Sequence, residues 1–143
     1  MASSICERIQ AAVKVALMGG TAAGANVTRD REVGVTRTET PAIVILYGGE
    51  ETERAGSYTD RNRLSLSVAI FVRDDSPVQY VDPIAVDVHR LITSDPALAA
   101  LAADIRKEGT DFTSEEADRT AGTLSVRYAI TYYTRANDLT ALP

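Results

Sequence analysis

Hydrophobic and polar side chains alternate almost without a break along two long runs, residues 64–73 and 123–134. Successive side chains of an extended chain point to opposite faces, so each run predicts a long β-strand with one apolar face. The two apolar faces share a set of large side chains: Leu64, Leu66, Val68, Ile70, Val72, Leu124, Val126, Tyr128, Ile130 and Tyr132. A sheet built on these strands needs helices on its apolar face. Its opposite face, rich in Ser, Thr, Ala and Arg, is left free to contact another protein.

Three more strands and one loop are predicted from shorter patterns. Residues 26–37 indicate a short polar strand, and residues 42–47 are apolar on both faces, as in a strand deep in a sheet. Residues 48–62 are rich in glycine and charge and predict a long loop, which is either functional or mobile. Residues 105–113 indicate the last of these three strands, followed by an acidic turn over residues 114–118.

The N-terminal segment has the pattern of an amphipathic helix. Ser3 or Ser4 supplies the N-cap, and apolar residues recur at helical spacing over residues 5–17. Gly19 and Gly20 end this helix, because glycine readily adopts the left-handed conformation found past helix ends. The glycines here are not followed by Gly-Lys-Ser/Thr, so a helix end is preferred to a phosphate-binding loop.

Two further helices are predicted between the long strands. Asp82 caps the first, with Pro83 at its first helical position, and Asp95 with Pro96 repeats the signal for a short helix. The element order is therefore helix, three strands, two helices and two strands. This order predicts an α+β fold in which helices pack on one face of a mainly antiparallel sheet, as a single domain over residues 1–143.

Composition narrows the classes of function. The chain has 143 residues, of which 45% are apolar and 24% charged, and a chain of this length buries roughly 68–70% of its unfolded surface. The net charge of −5 argues against electrostatic capture of free nucleic acid. No stretch approaches the roughly 20 apolar residues needed to cross a bilayer, and residues 1–8 show no secretory signal. Cys6 is the single cysteine, which is compatible with a reducing cytoplasm.

A search for catalytic chemistry favours structural interpretations throughout. His89 is the only histidine and lies beside the apolar stripe of a predicted helix, so a partly buried structural role is preferred to proton transfer. Cys6 lacks a readable base and is interpreted as a small core or surface residue. The acidic pairs at residues 74–75 and 115–116 lack the spacing of a metal loop and are interpreted as solvated charge. No catalytic residue, cofactor or metal is predicted.

Two surfaces have the composition of protein contacts. The polar sheet face combines arginines with aromatic residues, a mixture enriched at interfaces. Its candidates are Arg63, Phe71, Arg73, Arg127, Tyr133 and Arg135. The predicted loop contributes the second set: Gly48, Gly49, Glu50, Glu51, Glu53, Arg54 and Tyr58. A solvated sheet face and an ordinary surface loop remain the alternatives, since both are routine in α+β proteins.

The pattern as a whole resembles the tail terminator and minor tail proteins of long-tailed bacteriophages. The similarity rests on the N-terminal helix, the strand at residues 42–47, the glycine-rich charged loop, the strand at residues 64–73, the Pro-started helix from Asp82, and the terminal strand ending in residues 127–134. Head-to-tail completion proteins of the phage neck share this pattern. The resemblance implies a non-enzymatic subunit that forms a six-fold ring, caps the finished tail tube and provides the surface to which the filled head attaches.

The resemblance also implies partners and a location. It predicts contacts with other copies of the chain through the polar face, with the tail tube protein through the loop, and with a head-tail connector protein. DNA passes through the ring only as cargo, no membrane is involved, and the protein resides in the virion tail after assembly in the bacterial cytoplasm. Two alternatives from other classes stay open: a small α+β ligand-binding domain or enzyme, and a self-contained dimeric domain.

Overall fold

The computed structural model describes residues 2–29, 40–115 and 120–143. Eight elements follow in chain order: α1 (Ile5–Leu17), β1 (Val27–Arg29), β2 (Ala42–Arg54), β3 (Thr59–Asp74), α2 (Pro77–Ser94), α3 (Pro96–Leu101), β4 (Asp104–Glu115) and β5 (Thr120–Arg135). The strands form one sheet in the order β1-β2-β3-β5-β4, in which β1 and β2 are parallel and the other neighbours antiparallel. The predicted α+β class with a mainly antiparallel sheet is confirmed.

The two alternating runs form the centre of the sheet, as predicted. β3 and β5 pair along their whole length, with Leu66 opposite Tyr128 and Val68 opposite Val126. These four side chains are buried on the face that the helices cover. Because the side-chain period of a strand is two residues, this register places both predicted apolar faces on the same side of the sheet, while Phe71 and Tyr133 lie on the other side.

Truncating a side chain in this core is expected to cost far more stability than the same truncation at the surface. Val68→Ala removes two buried methyl groups and leaves a cavity, so the free energy of unfolding should fall by about 2 kcal/mol. Val15→Ala is the matched control, because Val15 is 75% exposed on α1 and its loss should change stability by less than about 0.5 kcal/mol. Urea unfolding of both variants measures the difference. Equal losses would show that the assigned burial is wrong.

The first and third helices begin where the sequence predicts. The Ser4 hydroxyl accepts a hydrogen bond of 3.0 Å from the Glu7 amide at the start of α1, and Gly19, with φ of 76°, follows its end. The Asp95 carboxylate accepts a 3.0 Å bond from the Leu98 amide and caps α3. Local capping chemistry thus decided these boundaries.

The predicted start of the second helix at Asp82 and Pro83 is wrong. α2 begins at Pro77, and Pro83 lies inside it on the exposed side. A proline has no N–H, so Pro83 removes one backbone hydrogen bond from the helix. The buried side chains of Val81 and Ile84, one on each side of the proline, nevertheless keep the helix against the sheet. Packing therefore overrode the local start signal.

The prediction of a long loop over residues 48–62 is also wrong. β2 continues to Arg54 and β3 begins at Thr59, so only a tight turn separates them. A β-bulge makes this continuation feasible: Gly48 and Gly49 together face Ser65, and Gly49 has a φ of 91° that favours glycine. A side chain at Gly48 would meet the Ser65 carbonyl oxygen at 3.1 Å.

The edge strands are predicted in their main part, but the predicted turn at residues 114–118 is wrong at Ser114 and Glu115. β4 contains the predicted strand at residues 105–113, and Ser114 and Glu115, which were assigned to a turn, extend it. β1 covers three residues of the predicted strand at residues 26–37, and the positions from 30 on lie outside the described residues, as do residues 116–118. Arg29 binds both carboxylate oxygens of Glu7, at 2.7 and 2.8 Å, which ties β1 to α1 and lowers the pKa of Glu7.

Candidate interaction surfaces

The face of the sheet turned away from the helices, called here the outer face, carries most of the predicted contact residues. Arg63, Phe71 and Arg73 project from β3, and Arg127 and Tyr133 project from β5. Eight residues of a strand separate Arg63 from Phe71, a distance of about 26 Å. The predicted set is therefore spread along the sheet rather than gathered in one patch. Arg135 lies opposite Thr59, at the same end of the sheet as Arg63.

Cross-strand ion pairs neutralise much of the outer face. Arg63 pairs with Glu108 of β4, and Arg61 pairs with Glu53 of β2. The Arg127 Nε atom lies 3.4 Å from the Asp111 carboxylate. All of these arginines are exposed, and ion pairs in that setting contribute only about 0–1 kcal/mol each to folding. These ion pairs can therefore be exchanged for contacts with a partner at little cost to the stability of the fold.

A second bulge, in β4, arranges two of these arginines. The register shifts between Lys107 and Gly109, which makes Glu108 an extra residue that reaches Arg63 two strands away. Arg127 lies across Gly109, because a side chain there would come within 2.3 Å of the Arg127 Nη2 atom. Neither acidic partner, Glu108 or Asp111, was among the contact residues predicted from the sequence. A glycine inside a predicted strand was the available signal for the bulge.

The hairpin formed by the ends of β2 and β3 replaces the predicted loop and divides its residues between the two faces. The bulge at Gly48 and Gly49 turns Glu51 and Glu53 to the outer face, opposite Arg63 and Arg61. Glu50 points to the helix face instead, where it accepts a hydrogen bond from Tyr132.

One depression joins the two predicted surfaces. It has a volume of about 240 Å³ and is lined by Glu51, Thr52, Glu53, Arg61, Arg63 and Thr131. Arg54 pairs with Asp60 at 2.8 Å on the other side of the hairpin. The residues predicted for the loop contact and the end of the outer face near Arg63 thus form one continuous surface, although the sequence predicts two separate surfaces.

The C-terminal segment braces the turn of the hairpin. The Ala136 amide donates to the Tyr58 carbonyl oxygen at 2.8 Å, and the Ile5 amide donates to the Leu139 carbonyl oxygen at 2.8 Å. Three large apolar side chains stay exposed at this end: Tyr58 at 83%, Leu139 at 65% and Leu142 at 42%. A tight turn, the chain terminus and the start of α1 therefore present a partly apolar surface together.

A polar cluster lies between α1 and the sheet. Burial, reinforced by the nearby charge of Glu50, raises the pKa of the Cys6 thiol, and the Gln10 side-chain amide lies 3.5 Å from its sulfur. Burial and the hydrogen bond to Glu50 also raise the pKa of Tyr132. Both groups therefore keep their protons, and of the two interpretations of Cys6, a core or a surface residue, its burial supports the core.

His89 contacts the core through a tyrosine. Its Nδ1 atom lies 3.1 Å from the Tyr128 hydroxyl, and the two rings are stacked with centroids 5.9 Å apart. Burial raises the pKa of Tyr128 to about 12, so its hydroxyl stays protonated. Asp87, the carboxylate nearest in sequence, pairs with Arg90 at 3.3 Å. His89 itself is exposed, so the partial burial that the sequence predicts is wrong, and its structural role stays a prediction.

Within residues 2–29, 40–115 and 120–143, no group of three or more His, Cys, Asp or Glu side chains is arranged to hold a metal ion. None of the described helices combines the length and the apolar character needed to cross a bilayer.

Comparison with known proteins assigns the chain to a family. A search among curated proteins found no match. The family described as phage minor tail protein U matches residues 4–132, which include every described helix and nearly all of the sheet. This match agrees with the resemblance found in the order of the elements and in the alternating pattern of the strands. The chain belongs to the phage minor tail protein U family, and its role in the phage tail is a structural one.

Proposed function

We propose that this protein forms a ring that ends the growth of the phage tail tube and provides the surface to which the filled head attaches. The observation that carries the proposal is the family match over residues 4–132. Residues 1–143 act in it as one domain that needs no cofactor. Its partners are other copies of the chain, the tail tube protein and a head-tail connector protein, and assembly takes place in the bacterial cytoplasm.

The outer face supports a ring because its charges can be re-paired. Closed rings need heterologous contacts, in which one patch meets a different patch on the next subunit. The outer face carries paired charges of both signs, whereas the opposite side of the protein is a layer of helices, so the subunit offers two unlike surfaces. In this proposal Arg63, Phe71, Arg73, Arg127, Tyr133 and Arg135 contribute to the subunit contact.

The hairpin supports a separate contact with the tube. Glu51, Glu53 and Arg54 are exposed on paired strands, and Tyr58 is exposed in the turn that the Ala136 amide braces, so binding does not have to order a flexible loop. Gly48 and Gly49 act through the bulge that directs these side chains. Glu50 acts from the helix face, where its bond to Tyr132 supports the hairpin.

The acidic balance suits a channel for DNA. Each subunit has a net charge of −5, so the ring as a whole does not attract phosphates and a passing duplex is not retained. DNA is therefore cargo in this proposal and not a bound partner.

Tail length tests the function. Phage that carry this gene are compared with the same phage lacking it, and tails are measured by electron microscopy. Without the protein, tubes should extend beyond their normal length and lack attached heads. Supplying the protein from a plasmid should restore both properties, and tails of normal length that join heads in its absence would refute the proposal.

A further inference from the structure

β4 ends the sheet on one side and leaves a long strand edge without a described neighbour. It has 12 residues and stands last in the strand order. Among the described residues, β5 is the one element against which β4 packs extensively. Nearly all of its residues are exposed on both faces. The backbone groups on the far side of β4 are therefore available to another extended segment.

The two halves of this edge differ in how they are protected. Residues 104–109 carry the charges of Asp104, Arg106, Lys107 and Glu108 together with the bulge, which are devices that prevent edge-to-edge pairing. Residues 110–115 pair with β5 in unbroken register, include Thr and Phe, which favour strands, and carry only the charges of Asp111 and Glu115. The second half is thus the more regular and less charged template.

This more regular half, residues 110–115, adjoins the proposed subunit contact. A depression of about 420 Å³ on the outer face runs from this edge towards β3, and it is lined by Phe71, Arg73, Thr113, Ser114, Glu115, Ala121 and Thr123. A strand added at the edge would direct alternate side chains towards the outer face. One of them would enter this depression, which combines an aromatic floor with an arginine.

We propose that residues 110–115 accept a strand from the neighbouring copy in the ring through backbone hydrogen bonds. The inference rests on the proposed ring, which supplies another copy of the chain at every contact. A ring contact is heterologous, and the edge of β4 differs from the short β1 at the other end of the sheet. Backbone pairing would supply the affinity of the contact, and the depression would supply its specificity.

Two neighbouring proline variants, Thr113→Pro and Ser114→Pro, test this edge. Of two consecutive residues in an antiparallel edge strand, one directs its amide to the inner neighbour and the other directs it outwards. One proline therefore removes a hydrogen bond to β5 and lowers the melting temperature, while the other removes only the outward donor. The variant that keeps the wild-type melting temperature should be unable to form the ring, as measured by sedimentation with and without isolated tail tubes.

Hydrogen exchange of the wild-type protein gives a second readout that does not depend on a variant. In the assembled ring, the outward amides of residues 110–115 should exchange at least about tenfold more slowly than in the monomer. A ring of normal size from the variant with wild-type stability, or unchanged exchange at these amides, would overturn the edge contact and leave the ring itself intact. A wild-type chain that stays monomeric on tubes, or forms only dimers, would overturn the ring and the edge contact together.

Discussion

Reversing the charge of Arg127 is expected to abolish ring formation while the subunit stays folded. Arg127 is exposed, and its pair with Asp111 spans 3.4 Å at the surface, so Arg127→Glu should cost the fold no more than about 1 kcal/mol. A mismatched charge inside a contact costs more, about 2–5 kcal/mol, which lowers the affinity by a factor of roughly 30 or more. Sedimentation on isolated tubes measures the ring, and thermal unfolding measures the fold.

The control breaks the same ion pair from its other side. Asp111→Asn removes the acidic partner of Arg127 but keeps the arginine charge, so ring formation should persist. Arg127→Lys should also retain most of the assembly, since the charge is preserved. Rings of normal size from Arg127→Glu as the only copy would exclude this part of the outer face from the subunit contact.

Truncating Tyr58 is expected to weaken binding to the tail tube strongly. Its side chain is 83% exposed at the hairpin turn, so Tyr58→Ala removes little that the fold needs. Buried tyrosines at interfaces often contribute 2 kcal/mol or more, so the affinity should fall by a factor of about 30. Co-sedimentation of the variant with isolated tubes measures this loss. The substitution leaves the hairpin intact, whereas a deletion within the hairpin would break the pairing of residues 51–54 with residues 60–63.

Tyr80→Ala is the matched control for the tube contact. Tyr80 is an exposed tyrosine on α2, away from the hairpin, and alanine is favourable in a helix. This variant should bind tubes as the wild type does. If Tyr58→Ala bound equally well, the hairpin turn would not be the tube contact.

Predictions from the sequence succeeded where a local pattern repeats over many residues. The alternation in residues 64–73 and 123–134 extends over five side chains on each face, so the core face of β3 and β5 was readable before any contact was known. The caps at Ser4 and Asp95 are equally local, because each carboxylate or hydroxyl binds an amide three residues away.

Predictions failed where a distant partner changed the outcome. Charged residues from 50 to 62 read as a loop by composition, yet their opposite signs face one another across β2 and β3 and stabilise paired strands. The helix begins before the start signal at Asp82 because Val81 is buried against the sheet. That burial exists only in the folded protein. In both cases tertiary contacts outweighed a local preference of a few kcal/mol at most.

The sequence by itself determined the class of the fold, the composition of its core and the identity of most residues on the outer face, because side-chain periodicity depends only on near neighbours. Only the tertiary structure decided how those residues meet. Arg63 and Glu108 are far apart in the chain and pair because a bulge in β4 adds Glu108 beside β5, and a separate bulge in β2 brings Glu51 opposite Arg63. A one-residue shift in register moves a side chain to the other face, and no local pattern records where a glycine absorbs that shift.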